Sequence, residues 1–270
     1  MFLEIVLIKV IYMNDVLKIV LIRVYADLSN PGYYSVIHRD NCITILPVVE
    51  KNSLETIPSF MDPGRIIDKC SGKPLEYYYK FSKFNPKAIH NDPRIDLGFY
   101  TEEARSNRLP YTKMSRETII LFMSGLAKYP ENIWFASKKE FRKILREIRS
   151  KNLMGIYIIG GIVLNKVLKI ESSDWNKTFE EIPVLMYSPH YYRKNNKNTV
   201  AFIGKGFYIN PPLKIATLTT DSFKITRDLI ELINRENVYK LIKQNFRKTS
   251  IIETKRDIFE KTLGSRIDYV

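Results

Sequence analysis

The chain is poor in the residues that usually carry covalent or metal chemistry. Its 270 residues include two cysteines, Cys42 and Cys70, three histidines and a single glutamine, Gln244. The cysteines form no CxxC pair, and no histidine completes a recognised zinc pattern with either, so no metal is expected. Two thiols left free point to a reducing compartment, and hence to a cytoplasmic protein. No apolar run approaches the roughly 20 residues that span a bilayer. The nucleophile patterns GxSxG and SxxK are absent, as is a cysteine with a histidine partner. No GxGxxG follows a strand, and Gly204-Lys205-Gly206 lacks P-loop spacing, so no cofactor is expected.

What the chain does have is positive charge. Lysine and arginine number 43 against 29 acids, a formal net charge of +14. Such an excess favours an anionic partner, with nucleic acid or a nucleotide first among them. A biased composition rich in Lys, Ile, Tyr and Asn is the plainer explanation. Hydrophobic residues reach 45%, enough for a substantial core.

Residues 4–10 (EIVLIKV) are closely echoed by residues 18–24 (KIVLIRV). Either these are two adjacent strands, or translation starts at Met13 and residues 1–12 are a mis-assigned extension. A basic start and a small-residue cleavage site are both missing, so a signal peptide is not expected. Val16–Val24 is almost continuously apolar, as in a strand buried on both faces. Cys42–Val48 reads as a second strand, broken by Pro47. Residues 51–114 carry six prolines with little periodicity and read as a long irregular segment, functional or mobile. An apolar strand over Glu117–Met123 then leads into Ser124-Gly125-Leu126.

Ser137 and Glu140 form a capping box. In the helix that follows, Phe141, Ile144, Leu145 and Ile148 share one face. Lys139, Arg142, Arg146 and Arg149 share the other. Strands are predicted at 155–170, 184–187, 199–203 and 206–209, with another over Leu213–Thr219. Helices are predicted from Thr226, over Val238–Phe246 and over Asp257–Leu263. No linker separates two cores, so residues 1–270 read as one domain with a helical cap over 220–270.

Four groups of residues could carry function. Arg23 and Asp27 follow the first strand and Glu50 the second; a guanidinium and a carboxylate there suit a base edge or a phosphate. A surface ion pair at a strand exit is the simpler reading. Asp92 and Asp96 flank Arg94 in the segment "HNDPRID" beside His90, and could hold a metal, do acid–base work, or form an Asx-type turn. His190 and Arg193 lie in "SPHYYRK", where rings alternate with cations as in base-stacking sites, with Lys205 downstream. Neither Asp92 nor His190 sits in an apolar stripe, so replacing either is expected to cost little stability. The fourth group is the basic helix face. Lys139, Arg142, Arg146, Arg149 and Lys205 are the candidate phosphate ligands. A merely solvated face usually mixes signs, whereas this one carries few acids.

The strand "LFMSGL" followed by "IYIIGGIVLNKVLKI" resembles small β-barrel modules of the PUA-like kind. From about residue 17 the order of segments resembles the third type of nucleotide-modification-associated domain, as a distant member. The likeness runs through "KIVLIRVYAD", "ITILPVVE" with Glu50, "HNDPRID", "IILFMSGL", "IYIIGGIVL", "SPHYYRK" and "FIGKGFYINPPLKIATLTT". It implies association with modified nucleotides or with nucleic-acid modification. The expected fold is α+β: a mixed, partly closed sheet or PUA-like barrel with flanking helices. The expected function is nucleotide or nucleic-acid binding, including recognition of a modified base, with Arg23, Asp27, Glu50, Asp92, Asp96, His190 and Arg193 as ligand-binding residues. The alternative is a nucleotide- or nucleic-acid-modifying enzyme using Asp, Glu and His as acid and base. A structural interaction protein whose charge serves solubility is the third reading.

Overall fold

A computed structural model describes residues 15–270 apart from 85, 105–113, 117, 195–196, 220–221, 234, 244–245 and 247–248. The question of residues 1–12 and Met13 therefore falls outside the described residues.

The first described strand, β1, spans Val16–Arg23. Its odd residues Leu17, Ile19 and Leu21 enter one hydrophobic cluster, and its even residues Val20 and Ile22 enter another. Alternate side chains of a strand point to opposite faces, so a continuous apolar run must be covered on both. Short strands β2 (Ser35–Ile37), β3 (Ile43–Thr44) and β4 (Val48–Val49) follow, the last two split at Pro47. Within the proline-rich stretch stand β5 (Ile89–His90) and β6 (Phe99–Glu103).

The sheet is built on β7 (Ile119–Lys128), β8 (Met154–Ile170) and β9 (Thr199–Leu218). β1 and β2 run parallel to β7, while β7–β8 and β8–β9 are antiparallel. The result is an α+β protein with a mixed, strongly curled and partly closed sheet, as expected. Register shifts along β7–β8 and β8–β9 supply the bends.

Several expected elements differ. The three strands foreseen between 199 and 219 are one. Along β8 the pairing jumps from Gly160↔Tyr208 to Ile158↔Leu213, so Asn210, Pro211 and Pro212 bulge out of that ladder and the prolines need donate nothing to it. Residues 184–187 form a 3-10 turn (Pro183–Tyr187) rather than a strand, since Pro183 starts it. A helix over Trp175–Glu181 precedes it, unforeseen. Helix α1 (Lys138–Ser150) carries the capping box, with Phe141 and Ile148 buried. The C-terminal segment is not purely helical. Ser250–Lys255 pairs antiparallel with β1, and Ile267–Tyr269 pairs with β9, between and beside the helices Arg227–Leu232, Arg235–Lys243 and Arg256–Leu263.

Cys42 and Cys70 are joined in a disulfide. This overturns the reading of two free thiols and removes the ground on which a reducing compartment was inferred. Among the described residues no helix is long and apolar enough to cross a membrane.

Candidate functional site

The long proline-rich segment folds back on the sheet and delivers polar side chains to one place. Glu50 follows β4, and β4 pairs with β5, Val48 opposite His90. The Glu50 amide donates to the Ala88 carbonyl, which sets Glu50 beside His90. Two residues on, Asp92 turns through a cis peptide to Pro93 and meets Thr101 of β6. β6 is held antiparallel to β9. Gly98, at φ +69, closes the turn before it: its carbonyl accepts from the Gly204 amide, and a Cβ at Gly98 would lie 2.2 Å from the Gly204 oxygen. The last contribution comes from the loop before β9. Glu55 and Lys194 amides donate to the Tyr192 and Ser53 carbonyls, and this short ladder lays Arg193 across Glu50.

Arg193 is the hub. Its Nη2 donates to Glu50 Oε2 at 2.8 Å and its Nη1 to Glu103 Oε1 at 2.7 Å. Its Nε also donates to Glu50 Oε2 at 3.3 Å, and the guanidinium meets the ring nitrogens Nδ1 of His190 (3.0 Å) and His90 (3.2 Å). All are well shielded: the Arg193, Glu50 and Glu103 side chains expose 11%, 2% and 11% of their surface. Glu50 Oε1 accepts from the Lys51 and Asn52 amides, while its Oε2 also meets His90 Nδ1 at 2.9 Å. Burial opposes ionisation of Glu50, but the His90 hydrogen bond and the His90 and Arg193 charges more than offset it, so its carboxyl sits well below the usual range.

Asp92 is the opposite case. Burial pushes its carboxyl up to about 7, although the charge of His90 and the Thr101 amide and hydroxyl act the other way. Thr101 Oγ1 continues the network to Ser188 Oγ at 2.9 Å. His190 is also buried; desolvation first, then the neighbouring His90 and Arg193 charges, hold its pKa well below the ordinary imidazole value. The expectation that Asp92 and His190 could be replaced at little cost to stability therefore does not hold: both are buried polar groups with partners, and removing one strands the others.

His90, Asp92, Thr101, Glu103, His190 and Arg193 face a cleft of about 380 Å³, lined also by Arg23, Tyr25, Asp27, Asn52, Tyr100 and Glu102. Asp27 spends one carboxylate oxygen on the Ser29 and Asn30 amides and lies near Arg23, which helps keep it ionised despite burial. Tyr25, in the left-handed region at φ 61, donates its hydroxyl to the Pro93 carbonyl at 2.6 Å. So Arg23, Asp27, Asp92, His190 and Arg193 line one cleft, while Glu50 does not line it and is held by Arg193 and His90. Asp96 does not join them: it forms a two-point ion pair with Arg94 away from the cleft lining.

The ligand atoms of His90, Asp92 and His190 lie within 4.8 Å of one another, close enough for a cation. The Arg193 guanidinium already rests against both imidazoles, however, and supplies positive charge there. The cleft can hold hydrogen-bonding ligands and move protons through Asp92, Thr101 and Ser188. The residues that pattern reading missed are Glu103 and Thr101. Each is an unremarkable polar residue in sequence, and only the pairing of β6 with β9 brings it to Arg193 or Asp92.

The candidate phosphate ligands lie elsewhere. Lys139, Arg142 and Arg146 are exposed on α1. Arg149 donates Nε to the Thr219 carbonyl at 2.7 Å and ties the helix to the sheet. Lys205 stands over the Tyr269 ring.

No protein-family model, no curated protein and no solved structure matches this chain.

Proposed function

We propose that this protein binds a nucleotide or a nucleic acid, taking the base or nucleoside part into the cleft framed by Arg193. The observation that carries this reading is the convergence of titratable side chains from separate chain segments on one pocket-sized cleft, with Asp92 shifted toward neutrality among them. Such perturbed groups in clefts mark functional sites, and the volume falls in the range of small-ligand pockets. The lining has more acids than arginines. That favours the hydrogen-bonding edge of a base over a phosphate, with a protonated Asp92 as donor and Asn52 and Glu102 among the acceptors. Phosphates would then be met outside, on the exposed cations of α1. The resemblance to nucleotide-modification-associated domains supports the same ligand class.

One observation favours a second reading, an enzyme acting on that ligand. Asp92 held near neutrality beside an ionised Glu50 is the separation of pKa values that acid–base catalysts use. Asp92 would then be the proton donor or acceptor, with His190 as relay.

A thermal-shift screen with nucleosides, nucleotides, single strands and duplexes tests both. A ligand at about 100 times its Kd adds about 2.7 kcal/mol to stability, which at 2–4 °C per kcal/mol is a Tm rise of roughly 5–11 °C. The rise should vanish in Asp92→Asn. Oligonucleotide affinity should fall steeply with salt, less so in Lys139→Ala/Arg142→Ala/Arg146→Ala. No shift with any of these ligands would retire the proposal, and turnover of a bound nucleotide would select the enzyme reading.

A further inference from the structure

A second cluster of chemically capable side chains lies on the other side of the proline-rich segment. His38, Asp68 and Cys70 place ligand atoms within 4.8 Å of one another. The Cys42 sulfur is bonded to that of Cys70, so the disulfide brings a fourth potential ligand next to this trio. Both cysteines and His38 are partly accessible, while Asp68 is buried. The cluster stands on the wall of a separate cleft of about 580 Å³, which His38, Cys70, Ser71, Lys73, Tyr77 and Tyr78 help line.

The surroundings orient these groups. Thr44 Oγ1 lies 2.6 Å from His38 Nε2. Asp68 Oδ2 accepts from the Ser71 amide and hydroxyl and from the Tyr78 hydroxyl. Hydrogen-bonded support of this kind is what holds metal ligands in place. The disulfide links residues 28 apart in sequence and ties the β2–β3 hairpin to the loop that covers the aromatic cluster of Tyr33, Tyr78, Tyr79 and Trp134.

We propose that Cys42, Cys70, His38 and Asp68 form a zinc site whenever the disulfide is reduced, so that the same tie is made by a covalent bond in one redox state and by a metal ion in the other. Two thiolates, an imidazole and a carboxylate are a ligand set that Zn²⁺ takes in tetrahedral geometry. A dithiol reductant supplies the two electrons that break the Sγ–Sγ bond and becomes a disulfide itself; each cysteine gains a proton. Zinc then displaces both protons as it binds the two thiolates. At Zn–S of about 2.3 Å the sulfurs of a tetrahedral site lie roughly 3.8 Å apart, a separation that the partly exposed cysteines reach by modest side-chain rotation.

The test uses the full chain, reduced with a phosphine, equilibrated with zinc and freed of excess metal. The expected result is about one zinc per reduced chain. Cobalt in its place should show the thiolate charge-transfer band and the intense visible spectrum of a tetrahedral sulfur-ligated ion. The oxidised chain should show neither. His38→Ala, which leaves both cysteines intact, should weaken zinc binding by at least the 10–100-fold seen for supporting residues of metal sites. Zinc should also protect Cys42 and Cys70 of the unaltered chain from alkylation, a readout that needs no variant. Reduced protein that takes up no zinc overturns the proposal. So do alkylation rates unchanged by zinc, or undiminished uptake in Cys42→Ser/Cys70→Ser, which would assign the ion to another site such as His90, Asp92 and His190.

Discussion

Removing the charge of Arg193 should destabilise this protein far more than removing a surface arginine. Arg193 bridges Glu50 and Glu103 at 2.8 and 2.7 Å, with both carboxylates at least 89% shielded. Arg193→Met keeps much of the volume and removes the charge. It takes from two buried carboxylates the cation they share, leaving His90 beside Glu50 and the exposed Lys197 beside Glu103, and breaking a buried pair from one side costs up to about 3–5 kcal/mol. At about 2–4 °C per kcal/mol for a chain near this length, Tm should fall by roughly 6–20 °C. The internal control is Arg227→Met. Arg227 pairs with Glu231 at 2.6 Å but exposes 89% of its side chain, and such i,i+4 pairs are worth about 0.3–0.5 kcal/mol. Urea titration of both variants, with unchanged m-values as the condition for comparison, gives the two losses. Adding Glu103→Gln to Arg193→Met should recover part of the loss, since the double variant strands fewer charges. A loss below about 1 kcal/mol for Arg193→Met, or no recovery in the double variant, would refute the view that this network is a buried, interdependent unit.

Two further outcomes follow from the same geometry. The Asp92 carboxyl keeps its proton in the folded chain up to about pH 7, whereas an unfolded aspartate releases it near 3.9. Between those values the folded state binds more protons, so this group makes stability fall as pH rises through the window. Over about three pH units the effect is up to about 4 kcal/mol. The stability of the wild type relative to Asp92→Asn, which cannot titrate, should therefore drop from pH 4 to pH 8; a flat difference would show that Asp92 is not shifted. Gly98→Ala should cost more than about 2 kcal/mol in urea unfolding, because φ +69 and a contact of 2.2 Å with the Gly204 oxygen leave no room for a Cβ. A near-neutral result would mean that this turn is not what aligns β6 with β9.

Local pattern determined a good deal of this protein. The almost continuous apolar run of β1 read as a strand covered on both faces, and the two alternating residue sets enter separate clusters as that requires. The capping box and the amphipathic spacing determined α1, because both are properties of neighbours in sequence. Several residues of the candidate site were also legible: Arg23, Asp27 and Glu50 at strand ends, Asp92 beside a proline, His190 and Arg193 among rings. Tertiary structure decided what no spacing carries. It merged three expected strands into β9 by bulging Asn210, Pro211 and Pro212 out of the β8 ladder. It brought Glu103 of β6 to Arg193 across 90 residues and Thr101 to Ser188 across 87. It joined Cys42 to Cys70 and set His38 and Asp68 beside Cys70, where the three residues between His38 and Cys42 held the only local sign. It left Asp96 with Arg94, outside the cleft its neighbour Asp92 enters. It also set the protonation of Asp92, since desolvation depends on what packs around a carboxyl and not on what precedes it in the chain.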